Sequence, residues 1–174
     1  MEIKLLSEGR IEEFHQVFVE VLKEGFPEYS PELIDYFINY DFSLDVFKDK
    51  TQNGIYKVLI AEDGRRIIGF LVIDKPYGGV SYTPWIGVVC QYRGRGIGKM
   101  LVQAWEKEAK RDGVHKLMLT TQSETNRSIY KKMGFLEEGF ERTSWFGLDA
   151  WLFGKVIDKP RPEIFLKYDK SRGV

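Results

Sequence analysis

The stretch Trp85-Ile86-Gly87-Val88-Val89-Cys90-Gln91-Tyr92-Arg93-Gly94-Arg95-Gly96-Ile97-Gly98-Lys99 decides how the rest of this chain is read. Its first five residues are an apolar, strand-like segment. Its end opens an amphipathic segment in which Ile97, Met100, Leu101, Ala104 and Trp105 share one helical face. Between the two, three glycines alternate with arginine and isoleucine. Glycines just before a helix leave backbone N–H groups open to an approaching anion, and the helix start adds the positive end of its dipole. Arg93, Arg95 and Lys99 add charge at the same spot, so a phosphorylated ligand is expected there.

Working outward, Lys116-Leu117-Met118-Leu119-Thr120 reads as a strand after a helix that stops at Lys110-Arg111-Asp112-Gly113. It should lie parallel to the Trp85–Val89 strand, joined to it by a right-handed crossover. This puts the glycine turn at a strand's C-terminal end, where α/β sheets keep their ligands. Upstream, Val58–Ala61 and Ile67–Ile73 flank Glu62-Asp63-Gly64-Arg65, a hairpin pattern. Ile3–Leu6 is a short first strand, and Ile11, Phe14, Phe18, Val21 and Leu22 follow helical spacing. A second helix starts at Ser30 (N-cap), Pro31 and Glu32. Asp41–Asn53 has no clear assignment. Downstream, Thr125-Asn126 can cap a short helix through Ile129, Tyr130 and Met133. Strands are expected around Leu136–Arg142, Ala150–Val156 and Glu163–Tyr168. The order describes an α+β domain with a mixed, mostly antiparallel central sheet flanked by helices and a central parallel strand pair.

Composition narrows the function classes. The 174 residues fit one domain, 1–174, with no linker or repeat. Lys+Arg and Asp+Glu number 26 each, which argues against a nucleic-acid or membrane-surface partner. Cys90 is the only cysteine, so neither a disulfide nor a cysteine metal site is expected. No apolar run approaches a membrane span, and the N-terminus lacks a signal peptide's apolar core. A cytoplasmic protein without a metal follows from these readings.

Three phosphate motifs compete for the turn. A P-loop needs glycine five positions before Gly98, where Arg93 stands, and a hydroxyl where Met100 stands. A dinucleotide fingerprint needs glycine where Lys99 stands. The pattern Gln/Arg-x-x-Gly-x-Gly/Ala is met twice, at Gln91…Gly94…Gly96 and at Arg93…Gly96…Gly98. It resembles the pyrophosphate-binding signature of the GNAT-type N-acetyltransferases. Tyr130-Lys131-Lys132-Met133-Gly134-Phe135 is similar to that family's Tyr-x-x-x-Gly-Phe segment, and the element order matches the family along the chain.

The resemblance implies acetyl-CoA as co-substrate, its pyrophosphate on the amides from Gly94 through Arg95, Gly96, Ile97 and Gly98 to Lys99, with Arg93 nearby. Ile86-Gly87-Val88 matches the strand that in this family splays from its neighbour and hydrogen-bonds the pantetheine arm. An N–H near Ile86 would then polarise the thioester carbonyl. Gly87 in mid-strand suits a bulge or close backbone approach, or a packing requirement. Tyr130 is the implied general acid for the departing thiolate. Asn126, four residues before it on the same helix face, is either a coenzyme ligand or a helix cap. Many relatives carry a glutamate near the start of the Trp85 strand; this chain has Ser81-Tyr82-Thr83-Pro84 there, and Glu124, Asp74 and Asp149 are unranked candidates for the base. His15 and His115 read as structural. The Phe26–Phe47 region and Trp145–Asp149 are candidates for binding the acceptor. Two functions follow: acetyl transfer to a primary amine of a small molecule or peptide by direct attack in a ternary complex, or a non-catalytic acyl-CoA sensor or scaffold. The resemblance leaves room for a homodimer, and no motif singles out one acceptor.

Overall fold

Apolar residues on either side of Gly64-Arg65 build the central hairpin. β2 (Tyr56–Asp63) pairs antiparallel with β3 (Arg66–Asp74), and all of the two strands but Lys57, Asp63, Arg66 and Asp74 is buried. The computed structural model describes residues 1–169. Ahead of the hairpin lie β1 (Glu2–Leu5), α1 (Ile11–Gly25), α2 (Pro31–Tyr36) and α3 (Leu44–Gln52). Behind it follow β4 (Val80–Tyr82), β5 (Trp85–Val88), α4 (Ile97–Arg111), β6 (Lys116–Thr121) and α5 (Glu124–Lys132). The chain continues through β7 (Leu136–Glu141), β8 (Ala150–Val156) and α6 (Pro162–Asp169). Its described residues form two compact units, Met1–Lys75 with Trp85–Trp105, and Pro76–Pro84 with residues 106–169.

The first unit holds a four-stranded antiparallel sheet in the order β1-β2-β3-β5. α1 lays Phe14, Val17, Phe18, Val21 and Leu22 into its core. Phe14 and Phe18 each lie 5.5 Å from Phe70 of β3, ring centre to ring centre. Trp85, at the start of β5, takes edge-on contacts from Phe18 (5.5 Å), Phe26 (5.4 Å) and Phe42 (5.1 Å). Each such ring contributes about 1.5–3 kcal/mol through burial alone, so this aromatic cluster is what fixes β5 against α1. A bulge in β2 between Ala61 and Glu62 turns the Glu62 carboxylate inward, where Lys4 and Arg10 pair with it.

The second unit holds a mixed sheet in the order β4-β6-β8-β7, in which β4 and β6 are parallel and the other pairs antiparallel. The fold is therefore α+β with one parallel pair, as expected, but the pair differs from the one read in the sequence. Lys116–Met118 of β6 lies beside Val80–Tyr82, while β5 hydrogen-bonds β3. The cause is Thr83-Pro84: the Thr83 amide still bonds the Met118 carbonyl at 3.2 Å, and Pro84 brings no N–H to extend the ladder.

Three further readings change. Glu163–Tyr168 is helical, part of α6, with Pro162 at its first position. The unassigned Asp41–Asn53 stretch carries α3, capped by Ser43 through the Val46 amide (3.4 Å). α5 is flanked at its start by Ser123, so Asn126 is the third residue of the helix and not its cap. The capping of α2 by Ser30 is as read, with its Oγ accepting from the Leu33 amide at 3.3 Å.

Candidate active site

β5 is the outermost strand of its sheet, and its register sets which groups it presents outward. The Val89 amide donates to Ile68 at 3.0 Å, and the register runs Gly69↔Val88, Phe70↔Gly87, Leu71↔Ile86. In an antiparallel ladder alternate residues face the partner. Gly87 therefore bonds toward β3, while Ile86 and Val88 direct their amides and carbonyls to the outer side. The Val88 carbonyl accepts Arg93 Nε at 3.0 Å, which agrees with that direction. The Ile86 N–H thus faces away from β3.

Gly87 has a packing reason. A Cβ there would come within 2.6 Å of Val21 Cγ1 and 2.8 Å of Phe70 Cζ. The strand shows no bulge at this point, so the missing side chain serves the approach of α1 and Phe70 to β5.

After β5 the chain makes one 3₁₀ turn at Cys90–Tyr92 and enters the glycine turn. Gly94 and Gly96 have φ of 75° and 79°, a region that side-chain-bearing residues rarely adopt. A Cβ on either would meet no protein atom within 4 Å, so backbone conformation and not packing demands glycine here. The first intrahelical bond of α4 in this turn runs from Met100 N to Gly96 O (3.1 Å). The amides of Ile97, Gly98 and Lys99 consequently have no helical acceptor and sit at the positive end of the helix dipole. Ile97 itself is buried and anchors the helix start beside Gly69.

Cations gather around Tyr92. The guanidinium of Arg95 lies 5.1 Å from its ring centre, and that of Arg66 lies 5.8 Å away. Arg66 was not legible as a site residue, because no local motif holds it. The antiparallel pairing of β3 with β5 brings the first residue of β3 beside the chain leaving β5. Arg93 has two contacts within the first unit: it bonds Val88, and its guanidinium lies against Gly25 at the end of α1.

Asn126 and Tyr130 belong to the second unit and lie one helical turn apart on α5. Tyr130 is the only buried residue of that helix. Its ring lies 5.8 Å from Phe153 and 6.1 Å from Phe135. Burial pushes its hydroxyl pKa well above that of an ordinary tyrosine, with the Tyr82 phenol adding to the shift. That direction favours the neutral O–H form of Tyr130. Where relatives are expected to carry glutamate, the Tyr82 hydroxyl pairs with Thr120 Oγ1 at 3.0 Å.

The three carboxylates left open as bases differ in their engagement. Glu124 is paired with Arg127 at 2.7 Å, and Asp149 accepts the Thr143 amide at 2.9 Å, closing the β7–β8 loop. Asp74, at the end of β3, is half-buried, and that burial raises its pKa against the opposing pull of Lys50. His15 is structural: its Nε2 lies 3.0 Å from the Phe42 carbonyl, and burial lowers its pKa. His115 joins backbone elements through its amide to Gly79 O (2.9 Å) and its carbonyl to Ile157 N (2.8 Å). Cys90 is exposed. Among the described residues no helix is long and apolar enough to cross a membrane, and no cluster of metal-type ligands occurs.

The strand–glycine-turn–helix geometry coincides with a match of residues 11–135 to the sequence model of the acetyltransferase (GNAT) family. The chain belongs to the GNAT acetyltransferase family. As a GNAT protein it is an acyltransferase. Solved GNAT structures agree with the fold. A PaiA N-acetyltransferase from Thermoplasma acidophilum, in complex with coenzyme A, aligns with a TM-score of 0.76 at 24% identity, over 90% of this chain and 99% of that one. The YncA acetyltransferase from Salmonella typhimurium, with acetyl-CoA, gives 0.71 at 19%, over 91% and 95%. The ribosomal-protein-S18-alanine N-acetyltransferase from Escherichia coli gives 0.70 at 18%, over 91% and 94%. At these identities the likeness is one of fold. A sequence comparison with curated proteins returned no match.

Proposed function

We propose that this GNAT protein, as a single acetyltransferase domain over residues 1–174, transfers acetyl from acetyl-CoA to a primary amine by direct attack in a ternary complex. The observation that carries the proposal is the pairing of an outward-facing β5 edge with the glycine turn that follows it. The unsatisfied amides of Ile97, Gly98 and Lys99 suit the coenzyme's pyrophosphate, with Gly94 and Gly96 shaping the turn and Arg66 and Arg95 supplying charge. The outer amides and carbonyl of Ile86 and Val88 suit the peptide-like pantetheine arm, which would add to the sheet as a further strand does. The Ile86 N–H is the donor we assign to the thioester carbonyl as charge builds on its oxygen. Support for acetyl-CoA also comes from relatives of the same fold that carry coenzyme A or acetyl-CoA.

The chemistry balances within these parts. The amine nitrogen bonds the acetyl carbon, the C–S bond breaks, nitrogen gives up one proton and sulfur gains one. Tyr130 is the proposed donor to sulfur, because it is held as a neutral phenol. Asp74 is the proposed acceptor of the nitrogen proton, because its surroundings raise its proton affinity. A panel of primary amines incubated with acetyl-CoA, with released thiol followed by colour, tests the proposal. Amine-dependent release of CoA is expected; a chain that binds acetyl-CoA but releases none above background with any amine is a sensor and refutes it.

A further inference from the structure

Arg93 reads in the sequence as a charge near the pyrophosphate, and in the structure its side chain makes contacts of another kind. Its Nε donates to the Val88 carbonyl at 3.0 Å, the last outward carbonyl of β5. The far end of the same side chain rests on Gly25, the last residue of α1, where an added Cβ would lie 2.2 Å from Nη2. A guanidinium is well placed there, because the C-terminal end of a helix carries partial negative charge. A second contact joins the same two segments: the Cys90 thiol faces the Glu24 carbonyl at 3.8 Å. The planar fork of arginine can hold a carbonyl with one nitrogen and cover a helix end with the others, which an ammonium cannot do.

We infer that Arg93 is a positioning residue: it struts the end of β5 against the C-terminal end of α1 and so sets the direction in which the glycine turn and the outer β5 groups face. It acts through Val88 and Gly25, not by touching phosphate. Trp85 already locks the start of β5 through Phe18, Phe26 and Phe42. The strand's other end has no comparable aromatic anchor among the described contacts, and Arg93 fills that place. Gly25 is the seat: its missing side chain is what lets Nη2 of the guanidinium come up against the helix end. The inference rests on the reading of β5 and the glycine turn as the coenzyme's site.

The test is acetyl-CoA affinity, by titration calorimetry, for the native chain, Arg93→Ala, Gly25→Ala and the double variant. Each measurement is made at about 0.05 M and about 0.5 M NaCl, which changes the screening length severalfold. Gly25→Ala keeps every charge and replaces glycine by a better helix former, so it unseats Arg93 without weakening α1. The strut predicts that each single variant weakens acetyl-CoA binding by roughly threefold to tenfold, as loss of one partly exposed charge-assisted hydrogen bond does. It also predicts that the double variant is no worse than Arg93→Ala, and that the salt dependence equals that of the native chain. Gly25→Ala binding as tightly as the native chain, or Arg93→Ala alone flattening the salt dependence, makes Arg93 a phosphate ligand and overturns the inference. Absence of acetyl-CoA binding to the native chain instead overturns the functional reading beneath it.

Discussion

Replacing Gly87 by alanine adds one methyl group at the most crowded point of β5. The new carbon would stand 2.6 Å from Val21 Cγ1 and 2.8 Å from Phe70 Cζ, both inside the closest approach that real Cβ atoms show. Neither neighbour can yield cheaply. Val21 is fixed by its place on the buried face of α1, and Phe70 is 1% exposed and in ring contact with Phe14 and Phe18. β5 must therefore move away from α1, or α1 from the sheet. Overpacking of this kind costs about 1–3 kcal/mol, and each kcal/mol lowers Tm by about 2–4 °C in a chain of this size. A fall in Tm of between about 2 and 12 °C is expected by differential scanning calorimetry. Acetyl-CoA affinity should fall with it, because the displaced strand carries Ile86 and Val88. A Gly87→Ala chain with native Tm and native acetyl-CoA affinity would refute the packing argument and the assignment of β5 together.

Other outcomes follow from the same structure. Tyr130→Phe should lower kcat by about a hundredfold or more while leaving acetyl-CoA affinity unchanged; an unaffected kcat removes Tyr130 as the acid. Because its pKa is raised, Tyr130 should impose no loss of activity on the alkaline side below about pH 10. Asp74 has a folded-state pKa above its ordinary 3.8, so its contribution to stability is present in acid and lost as pH rises through the folded value. Asp74→Asn should accordingly raise Tm at neutral pH while lowering turnover; lower Tm, or full turnover, contradicts the assignment. His15 shifts the other way, below its ordinary 6.5, so its contribution is complete above that pH and lost as pH falls through the folded value. His15→Gln should flatten the fall in Tm on acidification, and an unchanged acid profile would show that His15 does not drive it.

The parts of the fold that were legible are those written in neighbouring residues. The β2–β3 hairpin, the α2 cap at Ser30 and the glycine turn each depend on a few consecutive positions, and all three stand in the structure. The parallel partner of β6 was not legible, because Val80-Ser81-Tyr82 is short and not apolar, while Trp85–Val89 reads as the strand beside the crossover helix. Glu163–Tyr168 read as a strand because its apolar residues suit a strand as well as a helix; in the structure Pro162 opens α6. In the candidate site, the turn's amides follow from local sequence, whereas Arg66 comes beside Tyr92 only through the β3–β5 register. Arg93 differs: its charge and spacing suggest an anion, while its contacts with Val88 and Gly25 arise only from the tertiary fold.

Amide hydrogen exchange, with and without saturating acetyl-CoA, tests the central claim most directly. The account predicts slowed exchange at Ile86, Val88 and the Ile97–Lys99 amides, with Gly87, already bonded toward β3, little changed. Acetyl-CoA that binds yet leaves the β5 edge and the start of α4 exchanging at their unliganded rates would contradict it.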